Sequence, residues 1–185
     1  MYEQSAGVPL IAAGPGFKQD HTVSTAVSLT DIAATATDVC GVTRDKHSLS
    51  LPGESLRLIA DAPDDPDRTV LSEYHDGGST TGTFMVRWQH WKYVHYVGFE
   101  AQLFHLSTDP DELTDLAPAA SHNPLVRSAL QEGERRLRDF CDPDEVNSRC
   151  FAEQAKRIEQ LGGSEACRDA FVFNHTPVPS TDPAP

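Results

Sequence analysis

Apolar residues along this 185-residue chain recur with different periods in different stretches, and each period predicts an element. Residues 8–16 open with the continuous run Val8-Pro-Leu-Ile-Ala-Ala13 and close on Gly14-Pro-Gly16. A short run without alternation predicts a strand buried on both faces, as in a parallel sheet, whose neighbours are not in this sequence. Ser28-Leu-Thr-Asp31 has the form of a capping box. The serine accepts from a backbone N–H three residues on and the aspartate reaches back. Ile32, Ala36 and Val39 follow at helical spacing, with Gly41 as the expected C-terminal cap. Residues 42–68, broken by Pro52-Gly53, Pro63 and Pro66, read as a loop.

From residue 69 the period becomes that of strands. Residues 69–75, 83–88, 91–97 and 101–106 are rich in β-branched and aromatic side chains, and Asp76-Gly-Gly-Ser79 reads as a turn. The second and third of these segments have the spacing of a hairpin, so a small antiparallel sheet is expected. Asn123-Pro124 opens a helix with proline at its first position, and Val126, Leu130, Leu137 and Phe140 form a stripe able to cover one face of that sheet. Asp142-Pro-Asp-Glu145 starts another helix, running to Gly162-Gly163. Its stripe (Val146, Cys150, Ile158, Leu161) is thin and interrupted by Gln154, as in a surface arm or a contact element for another chain, and self-association through it is an expectation. The fold class is therefore α/β with an α+β C-terminal region. Three parts are expected: the end of an α/β domain at 1–68, a sheet-plus-helix subdomain at 69–141, and a helical extension with a proline-rich tail at 142–185.

A formal charge of −13 disfavours a nucleic-acid backbone or an anionic membrane as partner. The acidic run at 61–67 reads as a solvated loop. Cys40, Cys141, Cys150 and Cys167 show neither zinc-ribbon nor redox spacing. No apolar stretch is long enough to span a bilayer and Met1 opens no signal peptide, so a soluble, reduced, cytoplasmic chain is expected.

In order along the chain, Met1-Tyr-Glu3, Val8-Pro-Leu-Ile11, Gly14-Pro-Gly16, Val27-Ser-Leu-Thr-Asp-Ile32 and Cys40-Gly-Val42 are followed by Leu51-Pro-Gly-Glu-Ser-Leu56 and Ser72-Glu-Tyr-His75. Met85-Val-Arg87, Lys92-Tyr-Val94, Leu103-Phe-His-Leu106 and Asp109-Pro-Asp-Glu112 complete the series. This series resembles the final third of a sulfatase of the alkaline-phosphatase superfamily. Ser72-Glu-Tyr-His75 with Gly78-Ser-Thr-Thr81, the extension from Asp142 to Gly163, and Phe173-Asn-His-Thr-Pro177 resemble choline-sulfatase in particular. His105 departs from the pattern, which has aspartate there.

The resemblance implies sulfuric ester hydrolysis, with choline sulfate or another small sulfate ester as substrate. It also implies a formylglycine made from Cys-x-Pro-x-Arg and a calcium ion held by carboxylates and an amide, all N-terminal to the matched region. This chain has one Cys-x-Pro, in Cys141-Asp-Pro-Asp-Glu145, with glutamate in place of arginine. A small residue before a helix cap explains it, so no catalytic or metal-ligating residue is assigned and neither cofactor is expected to bind this chain alone.

Glu73 and His75 lie two apart on a strand and project to one face. The resemblance implies that this strand's end approaches the substrate cleft, so both are candidate substrate-binding residues. Glu73 is the candidate carboxylate for a quaternary ammonium, which charge and aromatic faces hold, and His75 a group that orients a neighbour or faces the sulfate. A solvated strand-end carboxylate and a hydrogen-bonded loop histidine are the alternatives. His90 and His95 lack ligand partners at metal spacing. Trp88 and Trp91 flank a turn, where packing is the expected role and an aromatic box the alternative. Two functions fit: the non-catalytic C-terminal segment of a choline-sulfatase-like hydrolase, or a stand-alone binding or scaffold module that kept the sulfatase sheet.

Overall fold

The computed structural model describes residues 1–42, 52–75 and 79–170. The residues between these stretches and the tail, which hold most of the turn at 76–79 and all of residues 173–185, lie outside them. The helices are α1 (Glu3–Ala6), α2 (Leu29–Val39), α3 (Leu56–Asp61), α4 (Pro124–Phe140), α5 (Pro143–Gln160) and α6 (Ser164–Ala170), with a 3₁₀ turn at Ala117–Ser121. The strands are β1 (Val70–Tyr74), β2 (Thr83–Trp88), β3 (Trp91–Tyr96) and β4 (Gln102–His105). One compact unit runs from Met1 to Asp144 and a second begins at Glu145. Among the described residues no helix is long and apolar enough to cross a membrane.

All four predicted strands form, and they pair as an antiparallel meander in the order β1-β2-β3-β4. Trp88 faces Trp91 across the hairpin, and the register places Glu73, Phe84 and His95 in one row. Alternation along the strands then gives the sheet two unlike faces. One carries Phe84, Val86, Trp88, Tyr93 and Leu103, all buried, and receives α4. The other carries Met85, Val94 and Phe104, against which Met1, Ala6, Tyr96 and Leu106 pack.

Helix α4 begins as its sequence predicts, with the Asn123 side chain accepting from the N–H groups of Leu125 and Val126 and proline in the first turn. Its buried stripe is Val126, Ala129, Gly133 and Leu137. Of the residues assigned to that stripe from sequence, Leu130 is only partly buried and Phe140 is 49% exposed. The small residues win because helix and sheet approach closely: a Cβ at Gly133 would lie 2.6 Å from Cβ of Tyr93. Gly133→Ala is therefore expected to cost about 1–3 kcal/mol by overpacking, read as a lower urea midpoint, although alanine is the better helix former. Arg136 fastens the same helix to the strand edge. Its guanidinium lies 5.4 Å from the Trp88 ring and donates to the Asp67 carbonyl and the Thr69 hydroxyl.

The capping box at Ser28 is present, yet the buried face of α2 is not the predicted one. Asp31 and Ala34 point inward, while Leu29, Ile32 and Val39 are 71%, 44% and 59% exposed. Asp31 organises this region. One oxygen accepts from Ser28 N–H (2.7 Å) and the other from Glu54 N–H and Arg68 Nη2 (both 2.8 Å). Helix α3, inside the stretch read as loop, packs beside α2; its start is held by the Leu56 N–H bond to the Thr35 hydroxyl. Gly53 makes the approach possible, since φ is +108° and a Cβ would meet the Thr30 carbonyl oxygen at 2.6 Å.

Residues 8–13 correct the sequence reading: they form no strand. Val8, Leu10 and Ile11 are 61%, 43% and 91% exposed. A central parallel strand needs a partner on each side for its backbone groups, and the described residues supply neither. The extension also differs. Helix α5 ends at Gln160, and a further helix, α6, follows Gly163. Ile158 and Leu161, counted in the thin stripe, are exposed, as is Phe151.

Candidate functional site

The structure brings Glu73 and His75 together: Glu73 Oε2 lies 3.7 Å from His75 Nε2, the carboxylate about half exposed and the ring mostly buried. The imidazole meets Phe84 edge-on at 5.1 Å between ring centres. Because Phe84 sits between Glu73 and His95 in the register, His95 joins the same patch, 6.4 Å from the phenyl ring. His95 Nδ1 in turn lies 3.3 Å from the Tyr93 hydroxyl and 3.5 Å from Glu134.

Glu134 closes the patch from α4. It accepts from the Tyr93 hydroxyl at 2.6 Å and from Arg138 at 2.6 Å. Burial alone would raise the Glu134 carboxyl, but these two hydrogen bonds outweigh it and hold the group below the ordinary carboxylate value. The Tyr93 phenol is pushed far up, first by burial and then by Glu134, so it remains a hydrogen-bond donor. Cys141, at the C-terminus of α4, has its thiol raised by burial and then by the charge of Glu73. A raised thiol is a poor nucleophile, because the thiolate is the reactive form.

A second cluster was not assigned from sequence. Lys92, in the middle of β3, is fully buried on the face opposite α4. Its Nζ lies 2.7 Å from Glu112 Oε1 and 3.1 Å from Glu3 Oε1. The other Glu112 oxygen accepts the Glu3 backbone N–H, and Glu3 Oε2 lies 3.8 Å from Arg87. Three motif pieces far apart in sequence, Met1-Tyr-Glu3, Lys92-Tyr-Val94 and Asp109-Pro-Asp-Glu112, thus meet at one point. A lysine inside a run as apolar as Trp91-Lys-Tyr-Val94 was the available signal, since a buried cation demands a partner.

The remaining candidates have packing roles. Trp88 is buried under Arg136, and Trp91 stacks edge-on with His105 at 4.5 Å. The His105 imidazole also bonds within its own turn, Nδ1 lying 3.0 Å from the Thr108 hydroxyl. The His90 ring lies 6.0 Å from that of His105.

A calcium ion takes six to eight oxygen ligands, and the buried carboxylates here are spent otherwise. Asp31 is held by N–H groups and Arg68, and Glu3 and Glu112 by Lys92. Among the described residues no group of three histidine, cysteine or acidic side chains is placed to hold a metal. The described residues therefore do not fit a calcium site. What the arrangement offers is one exposed carboxylate beside aromatic rings and one buried clamp.

Residues 1–139 match the family model described as N-sulphoglucosamine sulphohydrolase, C-terminal. This chain belongs to that family: it is a sulfatase C-terminal domain. Among curated relatives, arylsulfatase K of Homo sapiens is 39% identical over 125 residues, covering 63% of this chain and 23% of the relative. Arylsulfatase K of Gallus gallus is 41% identical over 128 residues, with 63% and 23% covered. The solved structure of a 2-O GAG sulfatase (BT1596) superposes with a TM-score of 0.51 at 28% identity, covering 69% of this chain and 28% of that one. The chain spans about a quarter of the length of the curated relatives it matches. The fold class and the sulfatase resemblance read from sequence are thereby shown, and the sulfuric ester hydrolase family with them. The likeness to choline-sulfatase is not among these findings.

Proposed function

We propose that this chain is the non-catalytic C-terminal part of a sulfuric ester hydrolase and works joined to, or docked on, the part of the sulfatase fold that carries the chemistry. Its apolar side chains carry the reading: Val8, Leu10, Ile11, Leu29, Ile32 and Val39 are all exposed in a chain matched by a C-terminal family model. Val8, Leu10 and Leu29 line one groove, exposed apolar patches mark interaction sites, and a parallel-strand sequence fits the edge of a larger sheet. Formylglycine and calcium would enter with the catalytic part. A stand-alone scaffold module is disfavoured by the same surface, which such a module would have to keep in water.

The substrate we propose is a small sulfate ester, with choline sulfate preferred through Glu73 and His75. Support comes from the half-exposed Glu73 carboxylate beside the rings of His75 and Phe84, since a quaternary ammonium is held by charge and aromatic faces rather than by hydrogen bonds. At that exposure water screens the contact, so Glu73→Gln is expected to weaken it by about 1 kcal/mol, roughly five-fold. In the completed enzyme KM for choline sulfate then rises with kcat little changed, while an uncharged aryl sulfate is unaffected. Equal effects on both esters would leave Glu73 a solvated carboxylate and the choline assignment without support.

A further inference from the structure

We infer that Lys92 and Glu112 are positioning residues: they clamp Glu3 to the sheet and so fix the segment by which this domain is joined to the rest of the sulfatase fold. The inference rests on the proposed function and names the device that sets the junction. The exposed Val8, Leu10 and Ile11, which the proposed function sets against the catalytic part, follow Glu3 closely along the chain. Three observations place the clamp there.

First, a buried lysine is costly where a hydrophobic side chain of similar size would pack as well. Lys92 projects from the same face as Met85, Val94 and Phe104, where a methionine would suit its neighbours. Packing alone does not call for a charge.

Second, both carboxylates that meet Lys92, those of Glu3 and Glu112, come from segments distant in sequence, and together they define an orientation. Glu112 gives one oxygen to the ammonium and the other to the Glu3 backbone N–H. Glu3 returns its own carboxylate to Lys92. Side chain and main chain of one residue are thus gripped at once, a restraint on position that a greasy contact lacks. Buried ion pairs are best attested in this role, setting register rather than adding stability.

Third, Glu112 is held at φ +54°, an uncommon conformation for a residue with a side chain. Asp109 fixes the bend that presents it, accepting from the N–H groups of Leu113 and Thr114. Beyond the clamp the chain runs along a groove of about 600 Å³, lined by Glu3, Gly7, Val8, Val27, Met85 and Arg87 among others, and emerges at the exposed Leu10 and Ile11.

Hydrogen exchange on the full chain tests the clamp directly. In Lys92→Met, the amides of Glu3, Ser5, Ala6 and Gly7, bonded to Glu112, Tyr2, Tyr2 and Glu3, should lose protection by about ten-fold or more. Those of β2 and β3 should keep theirs. Glu3→Gln, which leaves Lys92 and Glu112 paired, should show the same local loss more weakly, and serves if Lys92→Met does not fold. Unchanged protection at residues 3–7, or an equal loss across the sheet, overturns the inference. In a completed enzyme the displaced junction should lower kcat about ten-fold, with KM for an aryl sulfate within about two-fold, because small misplacements of reacting groups are costly. Lys92→Arg should recover part of that loss, and no change in kcat for Lys92→Met counts against positioning. An inactive completed wild type would count against the proposed function, while the exchange result still decides the clamp.

Discussion

Asp31→Ala is expected to destabilise the first unit by about 3 kcal/mol, at the lower end of the roughly 3–5 kcal/mol range for breaking a buried ion pair. The carboxylate is fully buried and serves three donors, the N–H groups of Ser28 and Glu54 and the guanidinium of Arg68. Its removal strands two main-chain donors at the start of α2 and ahead of α3, each of which then carries a desolvation cost. Arg68 limits the damage, since its side chain is 19% exposed and can turn toward water. Urea unfolding gives the number, and a loss under about 1 kcal/mol would show that these groups find water instead.

The same residue predicts an acid limb. Burial pushes the Asp31 carboxyl up, but the bonds from Arg68, Ser28 and Glu54 outweigh it and hold the folded pKa below the ordinary value. A depressed carboxylate contributes stability that is present above its unfolded pKa of about 3.9 and lost as pH falls through the folded pKa. The stability gap between wild type and Asp31→Asn should therefore be constant from about pH 5 to 7 and shrink below about pH 4. A gap independent of pH would contradict this.

Phe84→Ala is the second large effect, expected to cost about 3–5 kcal/mol. The ring is fully buried in the middle of β2, between Glu73 and His95 in the register, and it supports the His75 imidazole. Phe84→Leu keeps much of the apolar volume but not the flat face, so it should lose less stability while still releasing His75. Thermal melts rank the two, and the His75 ring resonances report its packing. Similar losses in both variants would mean that the aromatic face, rather than volume, dominates.

The sheet and α4 were legible because their signals are local. Period-two alternation gives β1 to β4, Asn123-Pro124 gives the start of α4, and Ser28 with Asp31 gives the start of α2. Faces were harder to read than elements. On α2 the apolar side chains Leu29, Ile32 and Val39 point outward and an aspartate points in, because Asp31 is held there by Ser28, Glu54 and Arg68. On α4, Ala129 and Gly133, not counted in the stripe from sequence, are buried, since the distance between helix and sheet is not written in hydrophobicity. Glu73 and His75 were placed on one strand from spacing alone, but His95 and Glu134 reach them through pairing and packing that no local pattern encodes. The Lys92 clamp joins residues 3, 92 and 112. Each was visible as part of a motif, and their meeting required the fold.

Sulfate release tests the proposed division of labour most directly. The pure chain is incubated with choline sulfate and with an aryl sulfate in the presence of calcium. A polypeptide in which the Cys-x-Pro-x-Arg portion of a sulfatase precedes Met1 is measured beside it. The chain alone should release no sulfate above buffer and the completed polypeptide should turn over, since Cys141 is a raised thiol in a Cys-x-Pro without the arginine. Turnover by the chain alone, abolished by Cys141→Ala, would contradict the reading of this domain as non-catalytic.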